Sequence, residues 1–532
     1  MAPVNSIESA ESLTTNPDLT IKPINTKNNE SVLSDGSIDK HSFNRKARSP
    51  KIGPSADVST EPFTRFYLLL SNPDSYCLFD EIRIGTGPEG GSPGVYPRQL
   101  ISLLFVLQNA TSSLTAISQV LSLPLHRKIL VQMLAAASST VPLDDHKRIT
   151  KWLKNPRIPC PSRIGRMLKT LEERGADLSE ILQEMAVKLA IEDNRFQGEN
   201  GIYSEENRIV GDGTVLTAAS SKTQNESVDL ETGEIRRHRM DLVSQQHAEG
   251  GGTCVYGAKF AAIWSTGANR HDTIAMGAAH VSSPSPQTEA AICAGLVVQT
   301  LEKLKPWGAS VSLLAYDRAA GRKEQELLNE NGIVLATRAY MDQAPDDKSR
   351  YRKPKSIGHT QSACGHQHYF AAIQKRIHLV VTDVSGEVSY VSLEHQQRPK
   401  RRGTRIFHYS EHPYTCWCSQ ETKRILRISW NGRKAALSAS KNGIILAGDK
   451  GYENMLLYLQ PHAPDSDEFK MLNGKRQTAE AMHSIMDQML PFKRLQRWSL
   501  ESKESWVFGY LIGHNLVHQQ LRRQEVLAQL AD

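Results

Sequence analysis

Three acidic side chains in the C-terminal two-thirds of the chain sit where phosphodiester chemistry could use them. Asp212 lies in Arg208-Ile209-Val210-Gly211-Asp212-Gly213-Thr214, at the turn-prone end of an apolar run. Asp317 ends a second apolar run, Val311-Ser312-Leu313-Leu314-Ala315-Tyr316-Asp317. Glu480 lies in Arg476-Gln477-Thr478-Ala479-Glu480, in a segment of helical pattern. Two carboxylates at strand ends and one on a helix can hold divalent ions. Cutting or joining a phosphodiester needs a nucleophilic oxygen, an in-line leaving oxygen and neutralisation of developing charge. Two ions about 3.5–4 Å apart supply this. Mg2+ takes hard oxygen ligands and keeps part of its water, so three carboxylates suffice.

The helix bearing Glu480 has two faces. At about 100° per residue, Arg476, Glu480, His483 and Asp487 fall in a stripe roughly 60° wide. Ala479, Met482, Ile485, Met486 and Met489 take the opposite side. Segment 476–490 is therefore expected to bury the Met-rich face and present the polar one. Alone, the polar stripe also fits a solvated face with an intrahelical Arg–Glu pair.

A second constellation pairs Cys364-Gly365-His366-Gln367-His368 with Cys416-Trp417-Cys418. Four of the five side chains Cys364, His366, His368, Cys416 and Cys418 could surround one structural Zn2+, which favours thiolate and imidazole. The spacing is tighter than the usual two-residue gap. Buried free thiols with a surface His are the other reading. Zinc there would staple its region and take no part in catalysis. His271, Asp272 and Trp264 are structural or line a DNA path; Cys254 and Cys293 read as small core residues.

These groups need a scaffold. At 532 residues the chain has room for roughly two to four domains. Residues 1–60 are rich in Ser, Asn, Thr and Asp and are expected to be disordered. Their basic cluster, Lys40, Arg45, Lys46, Arg48 and Lys51, touches DNA or is simply solvated. Residues 61–200 read as a helical N-terminal domain, with Leu100, Leu103, Leu104 and Leu107, then Leu168, Leu171 and Leu178, at helical spacing. Pro97 and Asn155-Pro156 punctuate it. Residues 113–121, followed by Pro124, fit a helix-turn-helix or a plain bundle. In 205–340, strands around Asp212, at 253–265 and at 273–281 precede a helix at 286–305. A strand ending at Asp317, a helix at 322–330 and a strand at 332–336 follow. That order predicts an α/β sheet with helices on both sides and ligands gathered at strand ends. Residues 221–252 read as a long mobile loop. Residues 341–470 read as a β-rich basic insertion, and 471–532 as returning helices.

Composition bounds the rest. There are 64 Lys plus Arg against 57 Asp plus Glu, a net charge of +7. This permits a polyanionic partner without requiring one. No stretch approaches roughly 18 uninterrupted apolar residues, so no membrane span is expected and the chain reads as soluble and intracellular. Seven cysteines, an odd and sparse count, do not suggest a disulfide framework.

Several motifs together resemble the DDE transposases of bacterial insertion-sequence type. They are Gly211-Asp212-Gly213-Thr214, Tyr256-Gly257-x-Lys259, Ala315-Tyr316-Asp317-Arg318-Ala319 and Arg476-x-x-x-Glu480, with Phe469-Lys470 and Gly474 upstream. The resemblance covers residues 200–520, and the helical N-terminal region more loosely. It implies a ribonuclease H-like catalytic domain, interrupted by the β-rich insertion and preceded by the helical domain. Asp212, Asp317 and Glu480 would then be ligands of two Mg2+ (or Mn2+) ions. The implied activity is metal-dependent cleavage at transposon ends, then strand transfer of the freed 3′-hydroxyl into target DNA. The implied partner is double-stranded DNA, bound by a homo-oligomer in the cytoplasm, at the nucleoid. Phosphate contacts are expected from Lys259, Lys400, Arg401, Arg402, Arg476, His483 and Lys493. The chain departs from many relatives, which carry a Tyr three residues before the Arg and a Lys seven after the Glu; here these are Asn473 and Asp487. Gly448-Asp449-Lys450-Gly451-Tyr452 also resembles the setting of the second Asp in some relatives. Asp317 is preferred because its strand, helix and following strand complete the sheet. Two other readings stay open: a non-catalytic DNA-binding protein with a zinc-stapled insertion, and a nuclease without strand transfer.

Overall fold

The computed structural model describes residues 61–79, 96–173, 177–197, 207–222, 224–228, 231–248, 254–267, 272–282, 288–317, 320–337, 354–361, 365–402, 405–417, 423–429, 436–439, 444–446, 459, 467–490 and 494–531. The expectations for residues 1–60, His271, Cys364, Cys418, Asp449 and Lys493 lie outside them. The first described elements are helices α1 (Pro62–Ser71), α2 (Arg98–Val106), α3 (Leu114–Ser122), α4 (Pro124–Ala137), α5 (Leu143–Leu153), α6 (Pro161–Glu173) and α7 (Leu178–Glu192). Then come strands β1 (Arg208–Thr217), β2 (Glu226–Val228), β3 (Ile235–Arg237), β4 (Gln245–Ala248), β5 (Cys254–Thr266) and β6 (Thr273–His280). Helix α8 (Glu289–Leu304), β7 (Leu313–Tyr316), α9 (Arg322–Glu330) and β8 (Val334–Thr337) alternate after them. Local chemistry starts several of these helices. Pro62 opens α1 where its missing N–H costs nothing. Ser113, Asp177 and Thr288 cap α3, α7 and α8 by accepting from Ala116, Glu180 and Ala291 amides.

The main sheet is ordered around β1. On one side β5 runs antiparallel to it, from Ile209 opposite Ser265 to Thr217 opposite Gly257. The far edge of β5 is shared by β4, along its first residues, and β6, along its last, both antiparallel. On the other side β7 and then β8 run parallel to β1. Helices α8 and α9 make the crossovers that parallel pairing demands. The segment 221–252, expected to be a loop, instead contains β2, β3 and β4; β4 holds its place by pairing with β5, a contact distant in sequence. Cys254, expected in the core, is exposed at the start of β5, whereas Cys293 is buried.

Each face of the sheet has its own core. Ile209, Ala261, Ile263, Leu314 and Tyr316 pack with α7 and α8. Val210, Leu216, Phe260, Ala262, Trp264 and Ala315 pack on the opposite face, against the last helices. Those are α11 (Gln477–Gln488) and α12 (Leu500–Ala531), while Phe469 and Leu472 of the preceding α10 (Asp467–Gly474) pack with Leu313, Val334 and Ala336. The second core is continuous with the N-terminal bundle, from Leu69 through Leu104, Ile149 and Leu168. The bundle is thus built onto the C-terminal helix. Gly509 and Gly513 let α12 approach the end of α2: a Cβ at either would lie 2.7 Å from the Phe105 or Val106 carbonyl oxygen. Asn515 lines the outer edge of β6, its side chain accepting from the Ala275 amide at 2.8 Å and donating to its carbonyl at 3.0 Å. This satisfies an edge strand without another strand.

Between the two parts of this unit lie β9 (Lys355–Gln361), β10 (Gln367–Ile373), β11 (Arg376–Thr382), β12 (Val388–Ser392), β13 (Gln396–Arg402), β14 (Arg405–Thr415), β15 (Lys423–Ser429), β16 (Ala436–Ala439) and β17 (Ile444–Leu446). They form two antiparallel sheets, ordered β12-β11-β10-β9-β17 and β13-β14-β15-β16. Ile357, Phe370 and Leu379 of one pack with Tyr414, Leu426 and Ile428 of the other. Among the described residues no single helix is long and apolar enough to cross a membrane.

Candidate metal centre

Asp212 lies in the middle of β1, opposite Ala262 on β5, and not at a strand end as expected. The antiparallel pairing with β5 carries the strand past the glycines. Those glycines serve packing on the opposite face. A Cβ at Gly213 would lie 2.1 Å from the Glu289 carboxylate, and one at Gly211 would lie 3.1 Å from the Tyr316 ring and 3.3 Å from Cys293 Sγ.

Asp212 alternates with Val210 and Leu216, whose face is covered by the C-terminal helices. Asp317 follows the last residue of β7. Val210 pairs with Ala315, so continuing this parallel register by two residues brings Asp317 alongside Asp212 on the same face. Neighbouring strands are about 4.8 Å apart, which suits two carboxylates sharing an ion. The Asp317 carbonyl accepts a hydrogen bond from Thr337 Oγ1 at the end of β8, which holds the turn after β7.

Helix α11 packs over β1. His483, expected on a solvated DNA-facing stripe, is buried: its side chain is 9% exposed and its Nδ1 is 3.6 Å from Asp212 Oδ2. Its ring meets the Trp264 indole edge-on, 6.4 Å between centroids. Trp264 is itself buried, so it does not line a DNA path. The wheel misplaced His483 because the helix rests on the sheet along a wider arc than its Met stripe. Glu480, one turn earlier, is 51% exposed and pairs with Arg476 at 2.6 Å. The carboxylates of Asp212, Asp317 and Glu480 do not form a three-ligand cluster within 4.8 Å, since the group of that kind among the described residues is a different one.

Glu289 gave no signal in the sequence beyond following a helix-capping Thr. It accepts a hydrogen bond from Tyr316 Oη and pairs with Lys259 Nζ at 2.5 Å. Lys259 is thereby engaged on the α8 face of the sheet. Burial, then the negative charges of Glu289, Asp212 and Asp317, push the Cys293 thiol well above its ordinary range. Burial also raises the Tyr316 hydroxyl, with Cys293 and Glu289 adding to it. Both side chains stay protonated, chiefly because they are buried, with the nearby negative charge of Glu289 adding to it.

Neighbouring polar residues are structural. Buried Arg208 donates to Thr266 Oγ1 and to the Met471 carbonyl at 3.3 Å, fixing α10 to the sheet. Asn473 is buried and donates to the Ala336 carbonyl at 3.3 Å. The three-ligand group is Asp193, Asp272 and His518. His518 Nε2 is 2.7 Å from Asp193, Arg195 pairs with both acids, and Arg522 lies 3.8 Å from each. Two guanidinium groups already balance these carboxylates, so the cluster is an ionic tie between the end of α7, the start of β6 and α12. Asp272 is accordingly structural.

In the insertion, His368 Nε2 and Cys416 Sγ are 3.2 Å apart and both buried, joining β10 to the end of β14. Two zinc ligands of these types lie roughly 3.5 Å apart, so this pair fits half of a site. Burial, then the charges of His366 and Arg424, lower the His368 imidazole and keep it neutral, as a ligand must be. His366 is exposed nearby in sequence. Lys400, Arg401 and Arg402 lie on β13, the edge strand of its sheet. No protein-family model matches the chain, and no curated protein is significantly similar to it.

Proposed function

We propose that this protein is a DDE-type DNA transposase with a ribonuclease H-like catalytic domain. The observation that carries the reading is the shared register and face of Asp212 and Asp317 on parallel neighbours, with α11 packed over β1. The strand order β6-β5-β1-β7-β8, three antiparallel strands followed by two parallel crossovers, agrees with the domain that the sequence resemblance implies. Asp212 and Asp317 fit a divalent ion as hard oxygen donors on one face, with His483 Nδ1 3.6 Å from Asp212 Oδ2. When bound, two such ions would stabilise the charge that develops on the phosphodiester oxygens and activate the attacking oxygen.

The protein's own part is positional. The sheet holds Asp212 and Asp317 at one level, and Glu289, Tyr316 and Lys259 brace that level from the opposite face. Glu480 stands one helical turn from His483, held by Arg476; closing on the site requires its release from that pair. Basic residues of the insertion, Lys400, Arg401 and Arg402 among them, supply sequence-independent affinity for the DNA backbone. His368 and Cys416 would contribute to a zinc staple in the same insertion. The Arg476–Glu480 pair favours a second reading, a DNA-binding protein on the same scaffold that does not cleave.

The test incubates the full-length protein with Mg2+ or Mn2+ and duplex DNA carrying the ends that flank its own coding sequence, beside a binding titration. Asp212→Asn, Asp317→Asn and Glu480→Gln are expected to abolish cleavage and leave DNA affinity within a few-fold. An amide keeps the shape but loses the charge that holds the ion. Wild-type protein that binds this DNA and never cuts it with either ion overturns the enzyme reading. Joining of the 3′-hydroxyl end to a second duplex separates transposase from nuclease.

A further inference from the structure

We propose that β12 is a self-association edge: two copies of the protein pair their β12 strands antiparallel about a twofold axis at Tyr390, joining two insertion sheets into one. The inference does not depend on the metal-centre reading above. β12 ends the sheet β12-β11-β10-β9-β17, and it pairs with β11 in unbroken register from Val388 opposite Thr382 to Ser392 opposite His378. Every residue of β12 is exposed, with Val388 at 47%, Tyr390 at 41% and Val391 at 50%. Proteins guard such edges, because a row of free N–H and C=O groups templates another strand. This protein does so elsewhere. The outer edge of β6 is met by Asn515, and the edge strand β13 carries Pro399, Lys400, Arg401 and Arg402. β12 has none of these devices. Its sequence, Val388-Ser389-Tyr390-Val391-Ser392, holds no charge and no proline, its ladder with β11 has no bulge, and its β-branched and aromatic residues favour a strand.

The ladder sets the register of this pairing. The Leu393 amide donates to the Ile377 carbonyl at 2.9 Å and the Asp383 amide to the Glu387 carbonyl at 3.0 Å, so residues 387 and 393 turn their backbone groups toward β11. By alternation Val388, Tyr390 and Ser392 turn theirs outward. Antiparallel pairing centred on Tyr390 sets Val388 opposite the partner's Ser392 and Tyr390 opposite the partner's Tyr390. Each outward N–H then meets an outward C=O, about six bonds in all. Charge permits a second copy here. The chain carries +7, so two copies repel in general. In this register, however, Glu387 falls opposite the partner's Leu393 and Glu394 opposite the partner's Gly386, so these acids do not face one another. Val391, level with buried Leu379 on the core face, gains the partner's Ser389 beside it. A second copy also presents its strand already ordered, whereas a free peptide must first be straightened at an entropic cost. Two strands of 5 residues bury less than the roughly 1,000 Å² of a stable interface, so the dimer is weak, with a dissociation constant on the order of tens of micromolar.

The experiment is analytical ultracentrifugation of the full-length protein without DNA, across about 1–200 µM. Expected is a monomer–dimer equilibrium. Tyr390→Lys, which sets two charges face to face, and Tyr390→Pro, which removes an outward donor, should each weaken it at least about tenfold. Both changes fall at an exposed edge position whose amide the ladder with β11 does not use, so thermal melts should stay within a few degrees of wild type. Tyr390→Cys checks the register. Opposed residues lie about 5.5 Å apart at Cα, within the span of a disulfide, so mild oxidation is expected to join the peptide to its copy at position 390. Val388→Cys, about 13 Å from its copy, should not join. Mass spectrometry of the digested protein reads both. Protein that stays monomeric at every concentration overturns the inference and leaves the edge to a strand of another protein. A dimer that Tyr390→Lys and Tyr390→Pro both leave unchanged overturns it too, as does association that runs past the dimer. Should either variant unfold, the cysteine variants decide alone: any outcome other than joining at 390 without joining at 388 overturns the pairing.

Discussion

Gly213 is a glycine because of Glu289. The two sit on opposite sides of a contact that has no room for a methyl group: the added Cβ would come within 2.1 Å of the carboxylate. Glu289 is anchored by Tyr316 and Lys259, so it cannot easily swing away. Gly213→Ala is therefore expected to cost about 1–3 kcal/mol by overpacking. Its cost should be clearly smaller in a Glu289→Ala background, where the obstacle is gone. Urea unfolding of the four proteins of this cycle measures the coupling. Additive effects would mean that the glycine is not held by that carboxylate. Because Asp212 is the preceding residue, the same substitution should also weaken ion binding there.

At the scale of elements, the tie between α7, β6 and α12 makes a pH prediction. Burial alone would raise the Asp193 carboxyl, but the His518 hydrogen bond and the charges of His518, Arg195 and Arg522 hold it below its ordinary value. A carboxyl depressed in the folded state stabilises fully above the ordinary value of about 3.9, and that contribution is lost as pH falls through the lower folded value. Asp193→Asn should thus destabilise the protein by about 3 kcal/mol at pH 7, the order expected when one partner of a buried pair is removed. The difference from wild type should shrink below about pH 3.9. Thermal melts at pH 7 and pH 3 check this; a difference that grows in acid would contradict the sign. A second tie, Asn515 on the edge of β6, works beside it. Together they explain why a helix of weak amphipathic pattern such as α12 is buried over much of its length: its polar residues are spent on the sheet.

At the scale of the whole molecule, the insertion is a separate pair of sheets with its own core, placed in the chain between the sheet that holds Asp317 and the helix that holds Glu480. Lys400, Arg401 and Arg402 occupy an edge strand, where basic residues also discourage pairing with another chain. The proposed function gives them a second use. Neutralising all three to Gln should weaken binding to every duplex alike and flatten its dependence on salt, by roughly 0.9 in logarithmic slope for each phosphate that they no longer neutralise. Gel-shift titrations at several salt concentrations read this directly. An unchanged slope would mean that these residues only protect the edge.

The sequence by itself determined the local elements. Helix α9 was expected over 322–330 and spans Arg322–Glu330; strands before Asp317 and after 332 and helices near 286–305 and 476–490 also form. Periodicity and capping act within a turn or two, so they are written in neighbouring residues. The mixed α/β class followed from their order. What only the tertiary structure decided depends on groups distant in the chain. Asp212 moved from a strand end to mid-strand because β5, some 50 residues on, pairs along its whole length. Lys259 pairs with Glu289, and His483, expected on a solvated stripe, is a buried neighbour of Asp212, because the faces that meet them come from α8 and from the sheet. Segment 221–252 gained strands for the same reason. A side chain's partner is set by which surfaces meet, and one-dimensional spacing carries the period of a face but not what lies against it.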